Sequence, residues 1–215
     1  MDLGLKDKVA IVTGGGSGIG RAICEVFAEE RAKQTAEQVR ALGRRALPLK
    51  VDVTKLEEVQ QGVKNALDEF GKIHILVNNV GRSPYNKFVK TAKKNWDFII
   101  NLQYYHVLNY HVLNCCHAVL PHMIERKYGK IVSVLSTAWK GRDPGFSLYA
   151  GAKAAIKSFS ETLSRELARY CINVNCVAPG IAGYQGRRGM AKVLGDFHRR
   201  LAQSSAHQIF ASQGL

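Results

Sequence analysis

The chain has 215 residues, of which 46% are hydrophobic and 22% are charged, and its formal net charge is +14. These values are typical of one globular domain with a sizeable core, and they exclude a disordered or fibrous chain. There is no apolar run of about 18 residues, which excludes a transmembrane helix, and a strand begins too close to the N-terminus for a signal peptide. We therefore expect a soluble, cytoplasmic protein without a membrane partner.

The positive charge raises the hypothesis of a nucleic-acid or anionic-surface partner. It results from 31 lysines and arginines against 17 aspartates and glutamates. The basic pairs are scattered and lack interleaved aromatic residues, as at Arg44-Arg45, Lys93-Lys94, Arg187-Arg188 and Arg199-Arg200. A nucleic-acid interface concentrates its charge on one face. We therefore predict no nucleic-acid partner and prefer a solvated basic surface that attracts an anionic cofactor or substrate.

The cysteines and histidines form no metal-binding pattern. No C-x-x-C spacing is present, and no two histidines have the spacing of metal ligands on a helix. We expect reduced thiols packed in the core or on helices, and no metal site. The cysteines are Cys24, Cys115, Cys116, Cys171 and Cys176.

A glycine-rich turn between a strand and a helix opens the predicted fold. Residues 8–12 are apolar and rich in β-branched side chains, which predicts a buried strand. They lead into T-G-G-G-S-G-I-G at 13–20 and then a helical pattern through Phe27. Glycines let a backbone approach a pyrophosphate, and a helix N-terminus offers it unpaired N–H groups. This context favours dinucleotide binding over a tight turn alone.

Strands and helices then alternate along the chain. Residues 46–51 predict a strand, followed by the turn Asp52-Val53-Thr54 and a helix at 55–70 with one apolar stripe. The strand predicted at 73–77 runs into Asn78-Asn79-Val80-Gly81. Such alternation predicts a parallel, doubly wound sheet.

Small or polar residues follow the predicted strands. Ligands of doubly wound sheets bind beyond the carboxyl ends of the strands. Gly14, Asp52, Asn78 and Ser136 all occupy such positions. Their convergence predicts one binding site at that edge.

A tyrosine and a lysine indicate acid–base chemistry. Tyr149 and Lys153 lie four residues apart, on one face of a helix predicted to begin near Ser147. A phenol titrates near pH ~10. We expect the nearby ammonium and the positive end of the helix to lower the pKa of Tyr149. Ser136, thirteen residues before Tyr149 at the end of an apolar run, is placed to hydrogen-bond a substrate oxygen.

In these motifs the chain resembles the short-chain dehydrogenase/reductases, NAD(P)-dependent oxidoreductases with a Rossmann fold. The resemblance covers about Leu5 to Gly180 and includes the thirteen-residue step from Ser136 to Tyr149. The other matching motifs are T-G-G-G-S-G-I-G (13–20), D-V-T (52–54), N-N-V-G (78–81), Lys153 and P-G (179–180). The resemblance implies NAD or NADP as cofactor and a homodimer or homotetramer.

The resemblance also implies which residues contact the cofactor. Asp52-Val53 would contact the adenine, and Pro179-Gly180 would border the nicotinamide. Asn78 would stabilise the central strand, and Gly81 would approach the nicotinamide ribose. The residues expected to hold the pyrophosphate all lie in the glycine-rich turn: Gly14, Ser17, Gly18, Ile19 and Gly20.

Four catalytic roles follow in the same way. Tyr149 would be the acid/base, and Ser136 would orient the carbonyl. Lys153 would bind the ribose hydroxyls while lowering the pKa of Tyr149. For the family's catalytic asparagine, the local signature Asn101-Leu102 favours Asn101, whereas counting from Trp96 points to Gln103. The reaction implied is hydride transfer between nicotinamide and a carbonyl or secondary alcohol.

The family's second strand has no counterpart in the sequence. F-A-E-E at 27–30 runs directly into R-A-K-Q at 31–34, without an apolar strand between them. About a dozen residues that a βαβ unit needs are absent. Either the sheet is one strand short, or the sequence lacks residues of the natural molecule. The acidic residue that binds a ribose 2′-hydroxyl is therefore unassigned, and Ser17, where NADP-preferring relatives often carry a basic residue, slightly favours NAD.

A tandem repeat interrupts the helix that precedes the catalytic stretch. Y-H-V-L-N occupies 105–109 and again 110–114. Five residues rotate a helix by about 140° after full turns are removed. The added copy therefore cannot extend the same face, and it should bulge out or rotate what precedes it. In the family this helix also builds the dimer interface, which the repeat is expected to alter.

The end of the chain departs from the family. Tyr184 falls where relatives carry the threonine that contacts the carboxamide. Residues 183–189 predict a loop and 190–210 a basic, moderately helical segment, and no final apolar strand is recognisable. We therefore expect a divergent substrate lid.

These observations predict one NAD(P)-binding Rossmann-like domain over residues 1–215, divergent from 181 to 215. Its fold is α/β, with a doubly wound parallel sheet in three α/β/α layers that lacks the second and last strands. The predicted function is NAD(P)-dependent oxidoreduction of a carbonyl or secondary alcohol, such as a 3-oxoacyl thioester, with NAD slightly favoured. The alternative is a catalytically impaired relative that acts as a cofactor-binding or interaction protein.

Overall fold

The computed structural model describes residues 7–16, 18–28, 45–81, 87–90, 110–141, 144–180 and 210–211. Several predictions made from the sequence lie outside these ranges. They concern Ser17, Asn101, Gln103, Tyr184, the first copy of the repeat, the helical pattern before Gly43 and most of the final segment.

A parallel sheet forms the centre of the described fold, as predicted. Every neighbouring pair of strands is parallel, and the strands follow one another across the sheet in chain order. The strands are β1 (Ala10–Val12), β2 (Ile75–Asn78), β3 (Gly129–Val134), β4 (Ile172–Ala178) and β5 (Phe210–Ala211). Strands β1, β2 and β3 match apolar runs in the sequence, because a strand buried on both faces has no reason to alternate with polar residues. Strand β4 (I-N-V-N-C-V-A) instead carries Asn173 and Asn175 between its apolar residues.

Helices cover both faces of the sheet, which confirms the three-layer, doubly wound arrangement. They are α1 (Gly18–Ala28), α2 (Leu56–Phe70), α3 (His111–Glu125) and α4 (Ser147–Leu167). On one face, Ile23 of α1 packs with Ile75, Val77 and Val132. The larger cluster on the other face joins α2, α3 and α4 to the strands through residues that include Val63, Val119, Ile156, Leu76 and Ile131. Each fully buried aliphatic side chain contributes about 1.5–3 kcal/mol.

Helix α2 shows why the sequence pattern was informative. Its buried residues Val59, Val63 and Ala66 recur at helical spacing on one face. Gly71 ends it in a left-handed conformation at φ 75°, and its N–H donates to Leu67 O at 2.7 Å. The predicted bounds, 55–70, differ from the observed helix by one residue.

The strand predicted at 46–51 is wrong. Residues 45–52 form neither helix nor strand, and Leu47 and Leu49 are exposed. Among the described residues, no strand lies on the outer side of β1. The segment therefore has no neighbour to complete its backbone hydrogen bonds, and Pro48 lacks an N–H altogether.

The prediction that the last strand is absent needs a correction. Phe210, assigned from the sequence to the end of a helical segment, pairs instead with Val177 of β4, and Ala211 pairs with Ala178. Strand β5 has only two residues, so the sequence around it carries no apolar run to reveal it. A final strand is therefore present in the fold, and it is two residues long.

Two further features concern membranes and metals. No described helix has both the length and the apolar character needed to cross a bilayer. Within the described ranges, no three histidine, cysteine or acidic side chains are grouped as metal ligands would be.

Candidate active site

The strand register brings the predicted site residues to one edge of the sheet. Val12 is level with Val77, Asn78 with Ser133, and Val134 with Val177. The residues that follow these positions therefore leave the sheet together at its carboxyl edge. These residues are Thr13-Gly14, Asn79, Ser136 and Pro179-Gly180, as the sequence predicted for Gly14, Asn78 and Ser136.

Thr13 joins the glycine-rich turn to the end of β2. Its Oγ1 accepts hydrogen bonds from Asn79 N at 2.9 Å and Val80 N at 3.3 Å. Its carbonyl accepts from Asn79 Nδ2 at 3.0 Å, and its N–H donates to Val77 O. The turn is thus held at a defined place relative to Asn78-Asn79.

The glycine-rich turn forms a cradle that side chains would fill. A Cβ on Gly20 would lie 2.3 Å from Gly14 O and 2.4 Å from Asn79 Nδ2. Gly14 and Gly18 have φ values of 65° and 54°, which L side chains rarely adopt. Helix α1 begins at Gly18 with its unpaired N–H groups at this edge. These features fit a pyrophosphate, which requires close backbone approach and N–H donors.

The other residues predicted on the cofactor side take different places. Ile19 packs on the α1 face of the core, and Gly81 is exposed. The Asp52 carboxylate accepts from Thr54 N at 3.0 Å and Thr54 Oγ1 at 2.7 Å, which shapes the turn before α2. Val53 O accepts from Asn114 Nδ2 at 3.2 Å, so this turn is also tied to α3.

Asn78 links the central strands to a helix. It is 2% exposed, and its Nδ2 approaches Ser133 Oγ at 3.5 Å and Cys116 Sγ at 3.6 Å. These contacts join β2 to β3 and to α3. The burial of this amide agrees with the role that the resemblance implies for it, which is to stabilise the centre of the sheet.

Ser136 begins a short 3-10 turn, Thr137–Lys140, directly after β3. Its Oγ accepts from Ala138 N at 3.3 Å. The next residue, Thr137, donates its N–H to Pro179 O at 2.9 Å. This bond places the Ser136 segment beside Pro179-Gly180. The residue predicted to orient the carbonyl therefore lies next to the pair predicted to border the nicotinamide.

Tyr149 and Lys153 lie on the first turns of α4, as predicted. The Tyr149 phenol lies close enough to the Ser136 hydroxyl for its pKa to be lowered by it, and its ring meets Phe146 edge-on at 6.2 Å between centroids. Lys153 Nζ lies 5.8 Å from the centre of the Tyr149 ring. Serine, tyrosine and lysine are therefore brought together at the carboxyl edge.

The lysine does not act on the phenol as we expected. Lys153 is 3% exposed, and its Nζ donates to Val134 O at 2.8 Å. Burial raises the pKa of the Tyr149 phenol above its ordinary value, and the hydrogen bond with Ser136 opposes this in part. Burial also lowers the pKa of Lys153 to about 8. The expected lowering of the Tyr149 pKa is therefore wrong for this arrangement, because burial is the largest effect on the phenol and only Ser136 opposes it.

Two partners in this site were missed from the sequence. One is Val134 O, the carbonyl that binds Lys153. The other is His111, whose Nε2 lies 2.7 Å from Thr13 Oγ1. Neither carries a local signal, since a carbonyl has no sequence code and His111 is 98 residues from Thr13. Thr13 begins the glycine-rich motif at 13–20, but that motif contains no signal that links it to His111.

Comparisons with known proteins identify the family. The short chain dehydrogenase family model matches residues 8–188. A subunit of (2S)-[(R)-hydroxy(phenyl)methyl]succinyl-CoA dehydrogenase from Thauera aromatica is 36% identical over 83% of this chain and 75% of its own length. The 3-oxoacyl-[acyl-carrier-protein] reductase of Thermotoga maritima is 35% identical over 82% of this chain and 74% of its own length.

A solved structure agrees with the fold. The crystal structure of NAD+-bound xylitol dehydrogenase superimposes with a TM-score of 0.72 and 29% sequence identity, covering 81% of this chain and 70% of that one. The parallel sheet, the glycine-rich turn after β1 and the serine–tyrosine–lysine group are therefore found in a chain whose relatives are dehydrogenases and reductases. This protein belongs to the short-chain dehydrogenase family and is a nicotinamide-dependent oxidoreductase that acts on CH–OH or carbonyl groups.

Proposed function

We propose that the protein reduces the ketone of a 3-oxoacyl thioester, or oxidises the corresponding alcohol, with NAD as cofactor and Tyr149 as acid/base. The observation that carries the proposal is the meeting of Ser136, Tyr149 and Lys153 at the same sheet edge as the glycine cradle. That arrangement provides an anion-binding backbone and a proton donor side by side.

The cradle supports the cofactor part of the proposal. Gly14, Gly18 and Gly20 would hold the pyrophosphate, Asp52-Val53 would face the adenine, and Gly81 with Pro179-Gly180 would border the nicotinamide end. When bound, nicotinamide supplies or accepts the hydride. Lys153 would bind the ribose hydroxyls. NAD rather than NADP is supported by Ser17 and by the NAD+-bound xylitol dehydrogenase among similar structures.

The protonation state of Tyr149 favours the reductive direction. Burial raises the pKa of the phenol from its ordinary value, which favours the protonated form. A protonated phenol donates to a developing alkoxide, whereas alcohol oxidation needs an acceptor at the same oxygen. Ser136 donates the second hydrogen bond to that oxygen and orients the carbonyl towards Tyr149.

The names of two relatives support the substrate class. One acts on a succinyl-CoA derivative and the other on a 3-oxoacyl group carried on acyl carrier protein. Both substrates are acyl groups on a large thioester carrier. A basic protein of net charge +14 also favours anionic carriers of this kind.

A binding and turnover experiment tests the proposal. NADH and NADPH are titrated while nicotinamide fluorescence is followed. Turnover is then measured on acetoacetyl-CoA and simple ketones with the reduced cofactor, and on a sugar alcohol with the oxidised cofactor. We expect tighter binding of NADH and fastest turnover of acetoacetyl-CoA. Tight binding without turnover of any substrate would support the catalytically impaired alternative, and turnover only of the sugar alcohol would contradict the thioester.

The oligomeric state remains a prediction. A homodimer or homotetramer is expected from the family, and Tyr110 and Leu113, beside and on α3, are 44% and 41% exposed. Light scattering at several protein concentrations measures the mass directly.

A further inference from the structure

We infer that His111 is a positioning residue that holds the glycine-rich turn in its dinucleotide-binding form through Thr13. This inference rests on the proposed function, because it assumes that the turn binds a nicotinamide dinucleotide. It assigns a role to the second copy of the Y-H-V-L-N repeat, which the proposed chemistry does not use.

The contact is short and buried on both sides. His111 is 1% exposed and Thr13 is 8% exposed. His111 is the first residue of α3, and its Nε2 lies 2.7 Å from Thr13 Oγ1. Burying an imidazole nitrogen without a polar partner is costly. For Nε2 of His111, Thr13 at the end of β1 supplies that partner.

Counting protons defines the direction of the bond. A hydroxyl has one proton and two lone pairs. Asn79 N and Val80 N donate to Thr13 Oγ1 at 2.9 and 3.3 Å and occupy both lone pairs. The proton can go to His111 Nε2 at 2.7 Å or to Val77 O at 3.3 Å. The contact with His111 is the shorter of the two, and we therefore assign the proton to it, with Nε2 of a neutral His111 as the acceptor.

The consequence for the cofactor passes through Asn79 and Gly14. With the proton directed at His111, both lone pairs of Thr13 Oγ1 point at the backbone after β2. That backbone carries Asn79, whose Nδ2 caps Thr13 O and lies where a Cβ of Gly14 or Gly20 would collide. Without the histidine acceptor, the hydroxyl rotates towards Val77 O and loosens its hold on Asn79. The walls of the cradle then shift, and its affinity for the pyrophosphate falls.

Local sequence alone does not give this assignment, because the repeat contains two histidines in identical surroundings. His106 and His111 occupy the same place in two identical five-residue copies. The structure places the histidine of the second copy, His111, against Thr13. The two histidines therefore form a matched pair for an experiment, because the same substitution can be made in the same local sequence.

The test removes the acceptor and measures dinucleotide binding. H111F fills the space but accepts no hydrogen bond, and we expect its Kd for NADH to rise about 3- to 10-fold, the effect of one hydrogen bond. The kcat at saturating NADH and the KM for the carbonyl substrate should stay within about twofold, because Ser136 and Tyr149 are unchanged. H111Q keeps an acceptor near the position of Nε2 and should bind NADH almost as wild type does. H111L serves as the acceptor-free variant in place of H111F should the latter not fold.

Two control variants separate positioning from loss of stability. V119A removes core volume from the same helix, where Val119 is fully buried, and should lower the melting temperature without changing the Kd for NADH. H106F should leave the Kd unchanged. Equal weakening by H111F and V119A, or weakening by H106F alone, would overturn the inference. Wild-type protein that binds neither NADH nor NADPH would instead overturn the proposed function, and the inference with it.

Discussion

The two edges of the parallel sheet carry opposite kinds of side chain. At the described part of the carboxyl edge, the residues that end or follow the strands are small or uncharged, including Gly14, Asn78, Ser136 and Pro179, and the cation of the site, Lys153, comes from α4. At the amino edge, basic residues precede or begin the strands. They are Lys8, Lys72, Arg126, Lys127, Lys130 and Arg169.

Helix direction explains this difference. In a parallel α/β fold the helices run back from the carboxyl edge, so α2, α3 and α4 end at the amino edge, where cations are stabilised by about 0.3–1 kcal/mol each. The N-termini of α1 and α4 point at the carboxyl edge and supply positive potential without charged side chains. The site for an anionic cofactor is therefore built from backbone N–H groups and glycines. The net charge of the chain therefore gave no information about where this cofactor site lies.

His74 lies at the amino edge, where burial and the neighbouring cations keep its imidazole neutral. It is 5% exposed, and its Nδ1 accepts from Val9 N at 2.9 Å. Burial, followed by the nearby cations Arg126, Lys8 and Lys72, lowers its pKa to about 4. It remains neutral at pH 7 and serves as a hydrogen-bond acceptor at the start of β1.

The largest expected effect comes from matched tyrosines at the two edges. Y149F at the carboxyl edge removes the proton donor but keeps the ring beside Phe146, so kcat should fall by about 10²- to 10⁴-fold with little change in NADH affinity. Y128F at the amino edge keeps the ring that Lys8 covers at 5.0 Å and should leave kcat unchanged. Steady-state kinetics with fluorescence titration measures both, and an active Y149F protein would sink the assignment of Tyr149.

A second contrast uses two glycines of the same turn. G20A places a Cβ 2.3 Å from Gly14 O, so backbone must move, and we expect at least a tenfold loss of NADH affinity. G16A meets nothing within 4 Å and should bind NADH within about threefold of wild type. Equal affinities in the two variants would contradict the cradle.

At the amino edge, acid should destabilise the protein through His74. Its folded pKa of about 4 lies below the ordinary 6.5, so the unfolded chain binds the proton first, and stability is lost as the pH falls from about 6.5 towards 4. Between pH 7 and 5 the loss should be about 1–2 kcal/mol. H74N keeps an acceptor but does not titrate. Urea unfolding of both proteins measures the difference, and identical pH dependence would refute the buried neutral histidine.

At the carboxyl edge, base should stabilise the protein through Lys153. Its folded pKa of about 8 lies below the ordinary 10.5, so the cost of burying the charge is relieved as the pH rises through that window. Relative to K153M, the free energy of unfolding should rise by about 1 kcal/mol between pH 7 and 9. The buried thiols of Cys115 and Cys116, whose pKa values are raised, act in the opposite sense at higher pH in both proteins and cancel in the comparison. A free energy of unfolding that falls between pH 7 and 9 relative to K153M would contradict the burial of Lys153.

Local sequence was enough wherever one element carries its own pattern. Apolar runs predicted β1, β2 and β3, and helical spacing predicted α2 and placed Tyr149 and Lys153 on one face of α4. The glycine-rich turn was recognised because it lies between a strand and a helix. In each case the signal comes from residues a few positions apart, which share a strand or a helical turn.

The tertiary structure decided what depends on distant partners. Residues 46–51 have strand-like composition but no neighbouring strand, whereas Phe210-Ala211 become a strand because β4 offers an edge. Lys153 turns to Val134 O, and burial, which no short pattern encodes, raises the pKa of Tyr149. Two identical repeat copies carry the same local information, and the structure places His111 of the second copy against Thr13 at the end of β1. The sequence by itself determined the family and its chemical groups, while long-range packing decided which atoms those groups contact and therefore how they titrate.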